Sequence, residues 1–181
     1  MGILDSFPGQ WMPVDPISGN RLIIEPVHGA IHDGVHFTAN HNKLLGSGST
    51  LSMMITTPAT AQNQTIHFVC GVECSKAATW TLSQCSASVG SAYTAYNNNL
   101  SSSNADPATI VLNPTITTYG TILETHTIGT SGNPNSVSGG GVEQRNEWLL
   151  APAKQYLVNV TTYAASSDTV INMPYYYREY I

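Results

Sequence analysis

One stretch constrains this chain more than any other: residues 144–179, QRNEWLLAPAKQYLVNVTTYAASSDTVINMPYYYRE. Its pattern predicts three strands, at residues 147–150, 155–162 and 169–177, with turns at 151–154 and 164–168. Val, Ile, Thr, Tyr and Trp suit a pleated, half-buried surface, whereas Pro152 has no amide to donate and Ser166, Ser167 and Asp168 favour turns. Read as a β-meander, the middle strand places Tyr156, Val158 and Val160 on one face and Leu157, Asn159 and Thr161 on the other. The first face should pack on a core and the second stay largely wet. Such a unit needs a second sheet over its apolar face.

The remaining sequence has the material for that sheet. β-rich runs recur at 51–57, 65–72, 77–84, 108–112, 115–118 and 121–128, and the polar link at 59–64 suggests a hairpin between the first two. The run at 21–27, interrupted by Pro26, reads as an edge strand. Residues 93–106 form a polar loop, and the Gly- and Ser-rich segment at 129–141 belongs at the surface. No amphipathic helix longer than two turns and no internal repeat are evident. The expected fold is therefore all-β, an antiparallel β-sandwich or jelly roll, with a single domain at residues 21–181 and an extended N-terminal arm at residues 1–20. In the arm, Pro8, Pro13 and Pro16 stiffen an extended path, and Phe7, Trp11 and Met12 require a surface to bury against. These three are the candidate docking contacts to a neighbouring protein surface.

At 181 residues there is room for one real core. Only 9% of residues are charged, well below the quarter or so of an average domain, so hydroxyl and amide groups must cover the surface. Six Lys and Arg against eleven Asp and Glu leave a net charge of −5. With no basic run to neutralise phosphates, nucleic-acid binding is not expected. No stretch has the length of a membrane span and the N-terminus lacks a signal-peptide layout, so no membrane partner is expected either.

Three clusters could carry chemistry. His28, His32 and His36, with Asp33 and His41 nearby, have the donors for a divalent metal or for an ion shared at an oligomer axis, although Pro26, Gly29 and Gly34 argue for an irregular segment. His67, Cys70, Cys74 and Cys85 make up a formal zinc set, but C-x3-C is not the tight knuckle spacing and Cys70 lies in an apolar run. A disulfide such as Cys74–Cys85 is the other use of these thiols, while an odd cysteine count favours reduced ones. Tyr93, Tyr96, Asn97, Asn98 and Asn99 would suit a glycan surface, with tyrosines finishing a core as the plainer reading. Acidic residues are scattered, and neither a nucleophile elbow nor a phosphate-cradling glycine motif is present, so no enzyme activity and no cofactor are expected.

Several of these segments occur in a recognisable order: HGAIHDGVHFTA, then YNNN with SSSN behind it, NPT, TYGTILETHTIGTSG, and RNEWLLAPAKQYLVNVT. Over about residues 28–163 the chain resembles a group of small structural proteins of tailed bacteriophages; the strand-and-turn and the E-W-x-L hairpin segments are the more specific. Leu100 stands where that family often carries Arg, and the MPYYYREYI tail is longer and more aromatic. The resemblance implies a virion protein assembled in the host cytoplasm. It implies a decoration or cement protein on the capsid exterior, binding the major capsid protein as a homotrimer, with Phe7, Trp11 and Met12 as the capsid-docking contacts. The other reading is a head-fibre or tail-associated module that recognises host glycans.

Overall fold

The computed structural model describes residues 3–4, 11–12, 26–59, 64–128, 138–139, 147–163 and 167–179. In chain order the elements are β1 (Ile3–Leu4), β2 (Trp11–Met12), α1 (Pro26–His32), β3 (His36–Leu45), β4 (Thr50–Thr56), β5 (Gln64–Val69), β6 (Gly71–Cys74), β7 (Ala78–Tyr93), β8 (Tyr96–Asn97), β9 (Thr109–Ile128), β10 (Ser138–Gly139), β11 (Glu147–Leu150), β12 (Gln155–Thr162) and β13 (Ser167–Glu179). All strand pairs are antiparallel, and two sheets pack together as an all-β sandwich. The first layer has seven strands around β13, which pairs with β3 along one edge and with β6 and then β5 along the other. The ladder to β5 and β6 breaks between Asn172 and Tyr175. Pro174 sits in that gap and has no amide to continue it.

The second layer is β12, β4, β9 and β7, and it closes on itself. Closure follows from the long strands β7 and β9. Their pairing contains five register shifts between Leu82 and Ser91, which bend and twist the ribbon. Asn113 adds a turn at φ 46, a left-handed conformation that Asn tolerates better than most residues. Its side-chain Oδ1 accepts the Ser52 amide at 3.2 Å. The start of β9 can therefore pair with both β4 and the end of β7.

The core lies between the layers. Leu51, Met53, Ile55, Leu82, Ile110, Tyr156, Val158 and Val160 come from the closed layer, and Phe37, Phe68, Val72, Ile171, Met173 and Tyr175 from the seven-stranded one. Each set alternates along its strands, as one buried face per strand requires.

Several sequence expectations need correction. The three C-terminal strands occur where expected but do not form a meander: β11 and β13 belong to the seven-stranded layer and β12 to the closed one. Leu157 is not on a wet face. It is 1% exposed, beside its cross-strand partner Met54 at 4%, because a ring of strands covers more of its second face than an open sheet does. Strands β4 and β5 are not a hairpin, since they lie in different layers. Residues 26–27, expected in an edge strand, begin α1; proline suits a first helical turn, where its missing amide costs nothing. The runs at 108–112, 115–118 and 121–128 are one strand carried past Pro114. In the arm, Leu4 pairs with Trp11 and Ile3 with Met12. Residues 21–25 and most of the 129–141 segment lie outside the described residues.

Candidate functional site

Two polar networks hold one end of the sandwich, and a third feature lies on β7 and β9. The first network is built on Asp106. Its carboxylate accepts the hydroxyls of Tyr175 and of Tyr177 (2.9 Å), and its Oδ1 also accepts the Ala108 amide at 3.0 Å. Alternation along β13 sends Tyr175 and Tyr177 inward together, with Phe37 packed against both rings. Burial raises the Asp106 carboxyl above its usual range despite these three donors. The same burial, reinforced by the Asp106 charge, pushes both phenols up, so they remain donors.

On the opposite face of β13, Tyr176 is the Cα partner of His36 on β3 and of His67 on β5. Both imidazoles stack on its ring, with centroids at 6.1 and 4.6 Å. Glu147 Oε1 accepts the Tyr176 hydroxyl at 2.7 Å and lies 2.7 Å from His67 Nδ1. One residue along β11 the alternation reverses. Trp148 points inward, and its Nε1 donates to Glu124 Oε2 on β9 at 3.0 Å, tying the layers together. The other Glu124 oxygen meets His126, which stacks on Trp80. None of these partnerships stood out in the sequence. The adjacent Glu147 and Trp148 on a strand were the available signal, since neighbours on a strand face opposite ways.

The candidate residues are dispersed by the fold. His28 and His32 lie on α1 with Nε2 atoms 3.0 Å apart, but His36 is buried in β3 and stacked on Tyr176. His67 is engaged with Glu147, and Cys70, Cys74 and Cys85 are all free thiols, so the Cys74–Cys85 disulfide does not form. Burial raises each thiol, at Cys70 with the Glu124 charge as a second cause. Such thiols remain protonated and behave as small apolar groups. Among the described residues, no three His, Cys, Asp or Glu side chains converge as a metal site.

The Asn side chains proposed for a glycan surface are spent on tying their loop to the segment from α1 into β3. Asn97 Nδ2 donates to the Gly34 carbonyl at 2.8 Å, Asn99 Nδ2 to that of His32 at 3.1 Å, and Asn98 Oδ1 accepts from Thr38 at 2.9 Å. Asn104 joins them with bonds to the carbonyls of Asp33 and Gly34. Tyr96 stays exposed at 65%, with Tyr93 edge-on to it. Phe7 lies outside the described residues, as do the side chains of Trp11 and Met12.

The third feature is the far part of the β7–β9 ribbon. Residues 117–122 of β9 are exposed without interruption, so both faces of the strand meet solvent there. Val89, Tyr119 and Ile122 are 67%, 74% and 62% exposed. Along residues 115–128, β9 pairs only with β7 among the described residues, which leaves its outer edge of amides and carbonyls open. Opposite Tyr119 and Ile122, β7 pairs in turn with β12, so this part of β9 is the outer strand of the closed layer, and only the stretch around Val89 is two-stranded; a long open edge invites another protein. Comparison with protein-family models, with curated proteins and with solved structures finds no match to this chain.

Proposed function

We propose that this chain is a tailed-phage virion protein that binds the exterior of the capsid shell as a trimer and cements neighbouring capsomers. The observation that carries the proposal is the β7–β9 pair, which presents Val89, Tyr119 and Ile122 beside a strand edge that is open among the described residues. Exposed aromatic and branched side chains beside an unpaired strand edge are what a protein-binding surface uses. The order of sequence segments described above supplies the phage and capsid part of the reading. Binding needs no cofactor and no catalytic residue. The glycan-binding alternative has weaker support, because the side chains of Asn97, Asn98 and Asn99 already bond to Gly34, Thr38 and His32.

Capsid shells stripped of this protein provide the test. The protein should co-sediment with them, and Tyr119→Asp combined with Ile122→Asp should weaken attachment at least about tenfold, or about 1.4 kcal/mol, with unchanged circular dichroism. Absence of binding to any expanded shell would overturn the proposal.

A further inference from the structure

The pair His28 and His32 has a geometry that the docking role does not use. Both side chains are exposed on successive turns of α1, and their Nε2 atoms share a hydrogen bond at 3.0 Å, one ring donating and the other accepting, so that an ion bound by both would take the place of the shared proton. Their ring centroids are 4.6 Å apart, with planes crossing at 74°. The nitrogens are thus closer together than the ring centres, and the rings tilt towards each other. Two imidazoles on one helix face with their Nε2 atoms this close can be brought to one ion at about 2.1 Å from each nitrogen.

We infer that His28 and His32 form a two-nitrogen chelate for a divalent copper or nickel ion. Helical spacing of four residues stacks the two side chains on one face, and α1 is held in position by neighbours that leave both rings outside. The Asp33 amide bonds to the Gly29 carbonyl and the Val35 amide to that of Ala30, closing the helix end. Asn99 binds the His32 carbonyl and leaves its imidazole untouched. His36, the third member of the sequence cluster, is excluded by its burial in β3, so the remaining coordination positions belong to water. Copper is favoured over nickel and zinc, since affinity for nitrogen sites peaks there. A bound ion also clasps both turns of a helix only seven residues long, which has few bonds of its own to resist fraying.

The experiment uses the untagged full chain and copper(II) alone. Titration calorimetry should give one principal site, and electron paramagnetic resonance should show two equatorial imidazole nitrogens. His28→Ala and His32→Ala should each weaken that site at least tenfold and reduce the signal to one imidazole or none. Copper should raise the Tm of the parent protein but not of either variant. Circular dichroism checks that the variants fold, and because both rings are exposed they should. Should either variant misfold, His28→Gln and His32→Gln read the same nitrogens. Unchanged copper affinity in the variants, or a spectrum with a single imidazole in the parent, would overturn the inference. Shell binding is scored separately with metal-free protein.

Discussion

Replacing Asp106 with Ala removes one acceptor from three donors: the Tyr175 hydroxyl, the Tyr177 hydroxyl and the Ala108 amide. Tyr175 is 0% and Tyr177 5% exposed, so neither ring can turn to bulk water. A buried donor left without a partner costs about 1–3 kcal/mol. The Ala108 amide keeps the Tyr177 hydroxyl as an acceptor at 3.0 Å, so two donors are left without a partner and set an upper limit near 6 kcal/mol, which two effects lower. Pro107 beside them is exposed, so water can reach part of the vacated site. Burial of the carboxylate is itself unfavourable, as its raised pKa shows, and that cost disappears with the side chain. The expected loss is about 3 kcal/mol, or a fall in Tm of roughly 6–12 °C for a chain of this size.

Asp106→Asn retains an acceptor and should lose less than about 1 kcal/mol at neutral pH. It also isolates the titration. A carboxyl whose folded pKa lies above the ordinary 3.8 contributes its stability fully below that value and loses it as pH rises through the folded pKa. Urea unfolding from about pH 4 to about pH 7 should therefore show the parent losing stability relative to Asp106→Asn as pH rises. The reasoning fails if Asp106→Ala costs under about 1 kcal/mol, or if the relative slope has the opposite sign.

Gly34 has φ +68, and a Cβ there would fall 2.2 Å from Ser102 Oγ. Gly34→Ala should cost about 1–3 kcal/mol and loosen the loop at residues 98–106, read as faster amide exchange there; Ser102→Gly in the same chain should recover part of the loss. All three cysteines are free with thiols raised by burial. Iodoacetamide should therefore label them slowly in the native protein and all three promptly in denaturant, and fast native labelling would contradict their packing. Deleting residues 1–19 should leave a folded protein that binds shells at least about tenfold more weakly, since truncating an interface tryptophan commonly costs about 2 kcal/mol or more; unchanged affinity would assign the contact to the ribbon alone.

Strand positions were legible where alternation was strong. Strands β11 and β12 fall on the residues that the pattern marked, because one buried face forces a period of two. The partners of those strands were not legible. Nothing local in EWLL or QYLVNVTT says that the first pairs with β5 and the second with β4 and β7, since layer membership is set by which apolar faces meet in the core. Pro114 misled in the other direction. It suggested a break, but Asn113 absorbs the bend at a positive φ and β9 continues. The short helix was obscured by Gly29 and Gly34, which read as irregular although one lies inside α1 and the other just beyond it. The His28 and His32 spacing was visible, whereas the separation of His36 required knowing that α1 ends and β3 begins between them. The networks on Asp106 and Glu147 join residues 69 and 29 positions away from their tyrosines, beyond the reach of any local pattern.

The most direct measurement of the central claim is the copy number of this chain in purified particles, obtained by quantitative mass spectrometry against the shell protein. A cement protein bound at repeated positions should appear at a fixed, simple fraction of the shell subunits, with that ratio falling together with attachment in the Tyr119→Asp, Ile122→Asp protein. Only a handful of copies per particle would point to a fibre or tail component, and absence from the particle would contradict the account.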